Sequence, residues 1–238
     1  MTTDWVRWHR DYDEPGSSLG RRLVVVQQYL VRALTGELAG QDVDAPVRTT
    51  RGAGLRDVRR RDQTPDDQDS RPRVLSICAG DGRDVLPVLA AHRPTTAAVL
   101  IEINPDLSGR ARRAAAALGL SGVEVRTADA GDPDSYAGVE PVDVLLACGV
   151  FGNISPADTR RTLAALPGLL KPGGIVIWTR GRGDAAHDPS QAVRTRFAEA
   201  GFTELAFTAP ADARFRVGMS RLETDHRPQP DGRWFTFR

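Results

Sequence analysis

From residue 73 onward, short β-rich apolar runs alternate with stretches of helical periodicity, and few architectures accept that pattern. The runs are 73–78 RVLSIC, 97–103 AAVLIEI, 122–127 GVEVRT, 142–148 VDVLLAC, 174–179 GIVIWT, 202–209 FTELAFTA and about 214–222 RFRVGMSRL. Helices are expected between the earlier runs, and their starts carry capping chemistry: Asn104 ahead of Pro105, Ser155 paired with Asp158, and Asp188 paired with Gln191. Strand alternating with helix implies a mostly parallel sheet of seven strands covered on both faces, because parallel neighbours need crossover connections. The last two runs are joined only by APADAR, which suits an antiparallel hairpin at the end of that sheet.

Ahead of this unit, Leu19, Leu23, Val26, Leu30, Leu34 and Leu38 recur at three- and four-residue intervals, with Ser17 or Ser18 as N-cap and Gly40 as a stop. This spacing predicts an amphipathic helix, an N-terminal extension within residues 1–40. Residues 41–72 lose all periodicity and collect Arg, Asp, Gln, Gly and Pro, which reads as a charged linker before a domain at 73–238. Eight Arg face five Asp between residues 48 and 73, so the linker is mildly basic, and RNA contact is the alternative to a solvated connection.

Over the whole chain 32 basic residues balance 31 acidic ones. A net charge of +1 argues against a partner such as nucleic acid or an anionic membrane and favours a small-molecule ligand. The charged N-terminus and the absence of long apolar stretches predict a cytoplasmic protein. Cys78 and Cys148 lie far apart and lack metal-ligand spacing, so thiols are expected, with neither zinc nor a disulfide framework.

In an open parallel sheet, ligands sit beyond the carboxyl ends of the strands near the point where the strand order reverses. The residues there are CAGDGRD after the first run, Glu102 in IEIN after the second, Asp129 in TADAGD after the third and ACGVFGN after the fourth. Gly80 and Gly82 lack the Cβ atoms that would hold a ligand away from the main chain. Together with LLKPGG before the fifth run, at 169–174, these residues resemble a class I S-adenosylmethionine-dependent methyltransferase, over residues 73 to about 222. The resemblance implies a Rossmann-like sheet with helices on both faces, and S-adenosyl-L-methionine as cofactor. It implies that Glu102 accepts hydrogen bonds from the ribose diol, that Asp129 and the Ala130 amide meet the adenine, and that carbonyls near Cys148 and Gly149 receive the methionine ammonium. Cys78, Ala79, Asp81 and Ile103 would complete the site around the two glycines. The family's first motif usually begins with an acid and often has a third glycine, whereas Cys78 and Asp84 stand at those places here.

Two rivals remain. Glu102 lies at the distance expected for a nicotinamide-dependent oxidoreductase, but the G-x-G-x-x-G fingerprint fails at Val85. A non-catalytic cofactor-binding protein is the other. Methyl transfer from a sulfonium is a direct displacement in which alignment can carry much of the catalysis, so the acceptor leaves little trace in sequence. A small-molecule metabolite methylated on O or N is the expected acceptor, in secondary metabolism or elsewhere, with RNA as the alternative.

Candidate acceptor contacts are Phe151 and Asn153 after the fourth run and Arg180 after the fifth. Each has a plainer reading: core aromatic, turn former and solvated cation. WVRWHRDYDEP gathers aromatic residues in a chain with only 6% of them, which points to a lid in which Trp8 touches the acceptor and His9 and Tyr12 approach its proton. Anchoring of a loose terminus is the alternative. For the linker the expectation is direct. Replacing residues 50–68 with a short Gly/Ser segment should leave Tm and cofactor affinity nearly unchanged, since long surface loops add little closure cost; a large loss of stability in thermal melts would reveal hidden packing.

Overall fold

The computed structural model describes residues 12–14, 16–38, 71–183, 188–224 and 229–238. Among the described residues the first α-helix, α1, is Ser18–Thr35. The Ser17 side chain accepts the Gly20 N–H at its start, and Gly36 closes it at φ +76, four residues before the expected stop at Gly40.

Seven strands follow: β1 Arg73–Ile77, β2 Ala97–Glu102, β3 Val123–Thr127, β4 Val142–Ala147, β5 Leu170–Gly181, β6 Phe202–Thr208 and β7 Phe215–Leu222. Between them lie α2 Leu86–His92, α3 Pro105–Ala117, α4 Pro156–Ala165 and α5 Ser190–Glu199. The sheet order is β3-β2-β1-β4-β5-β7-β6, parallel from β3 to β5 and antiparallel at the β7 and β6 pairings. The chain starts at β1, works outward to β3 and returns to β4 on the other side of β1. Loops after β1 and β4 therefore diverge and leave a crevice at the carboxyl edge.

Strand β5 is longer than the GIVIWT run. Leu170 already pairs with Val142, and the register shifts before Val144 meets Ile175, so KPGG lies inside the strand as an irregularity rather than ahead of it. Asn104 and Ser155 cap α3 and α4 as their sequences suggest. The helix α5 starts differently. Pro189 takes the N-cap place, so Asp188 receives the Ser190 N–H at 2.9 Å and its carboxylate is not paired with Gln191.

Alternation along the strands builds two cores. On one face Leu75, Ile77, Leu145, Val176 and Trp178 meet residues of α4 and α5. On the other, Val74, Val144, Leu146, Ile177 and Met219 meet α2, α3 and the buried stripe of α1. The helix α1 is thus packed on the sheet itself, with the Tyr29 hydroxyl 2.8 Å from the Thr208 hydroxyl at the end of β6.

The first face has an aromatic cluster in which Trp178 stacks on Phe197 at 5.5 Å and meets Phe151 edge-on at 6.2 Å. Gly218 lies opposite Trp178 on β7, and a Cβ there would come within 2.2 Å of the indole. The indole is fully buried and hemmed in by other rings, so it has little room to yield. Gly218→Ala should cost about 3 kcal/mol, lowering Tm by roughly 6–12 °C for a chain of this size; an unchanged melting curve would show that the ring moves freely.

Candidate functional site

The loop after β1 takes its shape from three left-handed residues at alternate positions, Cys78 at φ +54, Gly80 at +59 and Gly82 at +76. Cys78 therefore fills a glycine-type place in the loop, not an acidic one, and carries the only positive φ of a non-glycine among the described residues. The resulting turn is closed by Gly82 N–H to Ala79 C=O at 3.0 Å and Leu86 N–H to Gly82 C=O at 2.8 Å, which launches α2. Gly82 does not face the crevice. A Cβ there would lie 2.8–3.0 Å from Leu86 and Leu100, so its role is close packing of helix on sheet, a correction to its place among cofactor contacts.

Cys78, Ala79, Gly80 and Asp81 do face a cavity of about 310 Å³ at the carboxyl edge, as do Cys148 and Gly149 across the reversal point. Glu102 stands at the end of β2 and is nearly buried. Its two oxygens accept the Gly80 N–H and the Asn104 N–H, each at 2.8 Å, which fixes the carboxylate while leaving one lone pair per oxygen for a ligand. Ile103 next to it is 59% exposed and forms an apolar floor. Beyond β3, Asp129 accepts the Gly131 N–H at 2.8 Å and pairs with Arg233, while Ala130 is buried with its carbonyl bound by the Tyr136 hydroxyl at 2.6 Å.

Tyr12, Arg22, Asp84 and Cys148, which interact with one another, line the cavity on the β4 side of the reversal point. Arg22 donates to the Tyr12 hydroxyl and lies 5.5 Å from its ring, and Arg83 covers the same ring at 4.7 Å. Arg83 is itself held by Asp81, at 2.6 Å. Burial pushes the Tyr12 phenol up to about 12, so it stays protonated. Asp84 is 8% exposed, and its Oδ1 has no hydrogen-bond partner among the described residues. Burial raises its carboxyl to about 6, against the opposing pull of Arg22. Burial also holds both Cys78 and Cys148 far above the usual thiol range, reinforced at Cys148 by Asp84. Neither is a nucleophile at neutral pH.

The proposed acceptor contacts do not converge here. Phe151 is fully buried in the aromatic cluster and does not line the cavity, because its ring packs edge-on against both Trp178 and Phe197. Asn153 turns its amide back onto the Gly149 carbonyl at 2.6 Å and holds the loop after β4. Arg180 donates to the Phe151 carbonyl and also lies off the cavity. Trp8 and His9 fall outside the described residues.

Two groups of wall residues escaped the sequence reading. Arg22 shares the buried face of α1 with Val26 and Tyr29 at helical spacing, so an arginine on an apolar stripe was the available signal. The other group is the C-terminal segment, where Arg233, Phe235, Thr236 and Phe237 line the cavity; the signal was WFTF, three aromatics in a short polar tail. Among the described residues there is no cluster suited to a metal ion, and no helix is long and apolar enough to cross a membrane.

Residues 75–176 match a family model described as a methyltransferase domain. A 111-residue stretch, 45% of this chain, is 31% identical to the uncharacterized protein YnbC of Escherichia coli K12, and covers only 19% of that protein. Among solved structures, an O-methyltransferase family protein from Burkholderia thailandensis superposes with a TM-score of 0.54 at 18% identity, over 64% of this chain and 51% of that one. The fibrillarin pre-rRNA processing protein of Methanococcus jannaschii superposes with a TM-score of 0.53 at 20% identity, over 64% of this chain and 67% of that one.

The burial of Asp84 has a measurable consequence. The folded chain binds the Asp84 proton more tightly than the unfolded chain, at about 6 against the ordinary 3.8. That contribution is complete below the unfolded value and is lost as pH rises through about 6, a difference on the order of 3 kcal/mol. Asp84→Asn should therefore raise Tm by several degrees at pH 8 and by much less at pH 4.5. Melts that shift equally at both pH values would mean that Asp84 ionises as freely as in solution.

Proposed function

We propose that this chain, a methyltransferase with the class I sheet, transfers the methyl group of S-adenosylmethionine to an oxygen or nitrogen of a small-molecule metabolite. The observation that carries the reading is that one cavity is lined across neighbouring strand ends, by Asp129 after β3, Glu102 on β2, the Gly80 loop after β1 and Cys148 after β4, with Asp84 and Arg22 interacting beside Cys148. Each matches a part of that cofactor. Asp129 suits the purine amino group, and the Glu102 oxygens suit a ribose diol. Gly80 admits the thioether region to the main chain.

At the far end the cofactor's α-amino acid zwitterion needs an anion and a cation side by side. Asp84 offers an unpaired buried oxygen to the ammonium, and Arg22 offers a guanidinium to the carboxylate. Burying Asp84 with one oxygen outside any hydrogen bond among the described residues costs stability, and a bound ammonium would offset that cost. When bound, S-adenosylmethionine supplies an electrophilic methyl on sulfur.

The residues of this chain then act by orientation and by excluding water. Tyr12 remains a phenol, so it is a hydrogen-bond donor and a wall under the guanidinium groups of Arg22 and Arg83, not a general base. His9, an imidazole side chain, is the proton acceptor in this proposal. A near-neutral chain with a walled cavity favours a small acceptor over an RNA.

Calorimetry with S-adenosylhomocysteine and with NAD tests the cofactor. Wild type should bind the first and not the second, and Glu102→Ala should weaken binding by roughly 1–3 kcal/mol, the range for a hydrogen bond to a charged group. Failure to bind S-adenosylhomocysteine would sink the reading, and unchanged affinity in the variant would remove Glu102 from the site. Label transfer from methyl-labelled cofactor to hydroxyl- or amine-bearing metabolites, set against bulk RNA, tests the acceptor class.

A further inference from the structure

The segment after β7 returns across the carboxyl edge of the sheet as a strap, described over residues 229–238, and it is tied at both ends. At one end Trp234 stacks on Tyr136 at 4.6 Å, and its N–H donates to the Gly131 carbonyl at 2.8 Å. Gly131 has no room for a side chain there, since a Cβ would stand 2.1 Å from the Phe235 carbonyl oxygen. At the other end the Arg238 N–H donates to Asn153 C=O at 2.9 Å and its guanidinium to Ile154 C=O at 2.8 Å. The anchors are the loops after β3 and β4, which flank the cavity, and the stretch between them forms part of its wall.

Arg233 is clamped within this strap. Its Nε donates to the Thr236 hydroxyl at 3.0 Å, and its outer nitrogen reaches one oxygen of Asp129. The other oxygen of Asp129 already holds the Gly131 N–H. The carboxylate plane is therefore fixed from two sides, and its remaining lone pairs have set directions. We propose that the C-terminal strap is a working part of the cofactor site, in which Arg233 is a positioning residue that orients Asp129 and so sets the preference for a purine bearing a 6-amino group.

The proposal rests on the S-adenosylmethionine reading given above. An anchor that only covered Tyr136 would need Trp234 but not the Arg233–Asp129–Thr236 arrangement. A correctly oriented acceptor favours an amino donor over a carbonyl, which presents a lone pair to the same oxygen. A carboxylate free to rotate loses that discrimination while the cavity keeps its volume.

The test compares binding of S-adenosylhomocysteine and S-inosylhomocysteine, which carries oxygen in place of the 6-amino group, to the full chain by calorimetry. Wild type should prefer the adenosyl compound at least tenfold. Arg233→Ala should cut that ratio about fivefold or more, and Arg233→Lys should restore part of it. Thr236→Val, which releases the guanidinium without removing its charge, should lower the ratio in the same direction and serves if Arg233→Ala does not fold. Wild type that binds neither compound overturns the cofactor reading and this proposal with it. Wild type that discriminates, with variants discriminating equally well, overturns the strap proposal alone.

Discussion

The hydrogen bond from Gly80 N–H to Glu102 joins the loop of β1 to the end of β2, and the geometry of the cavity depends on it. A loop with three left-handed residues in five has no regular ladder to hold it. Glu102 supplies an acceptor from the neighbouring strand and is oriented in return by Gly80 and Asn104. Ala79 N–H, bound to Ile101 C=O at 3.0 Å, secures the same junction through the main chain. With the loop held there, the N-terminus of α2 and Asp84 are brought up against Cys148 on the other side of the reversal point.

Around this junction the cavity is asymmetric in its supports. Its floor is built by residues at and just beyond the carboxyl ends of β1, β2, β3 and β4. Its walls come from the two ends of the described chain, α1 with Tyr12 on one side and the C-terminal strap on the other. Both walls also pack into the cores, α1 through Val26, Tyr29 and Leu30 and the strap through Trp234 and Phe235, and they bring charged groups to the cavity. Asp84 is buried beside Arg22, and a core chosen only for stability would not leave one of its oxygens outside any hydrogen bond among the described residues.

Much of the architecture was legible in residue order. Each of the seven runs became a strand, with boundaries within one residue at most ends, because alternation and β-branched content are local properties. The exception, β5, extends four residues earlier because Leu170 finds a partner in Val142, a pairing that no local pattern specifies. Glu102, Asp129 and the Gly80 loop stand at the strand ends where residue order put them and line one cavity. Phe151 and Arg180 were misplaced because a position after a strand does not tell which way a side chain turns. Phe151 turns into the rings of Trp178 and Phe197, and Arg180 turns back to cap a carbonyl.

By itself the sequence determined the strand and helix succession, the glycine loop and the acids at the strand ends, all of which follow from short-range periodicity and backbone preference. Only the tertiary structure decided that Arg22 and Asp84 share one end of a cavity and that Arg233 meets Asp129, 104 residues away in the chain. The physical reason is that a charge acquires its role from its burial and its neighbours. Both are set by packing between segments whose separation along the chain carries no record of their contact.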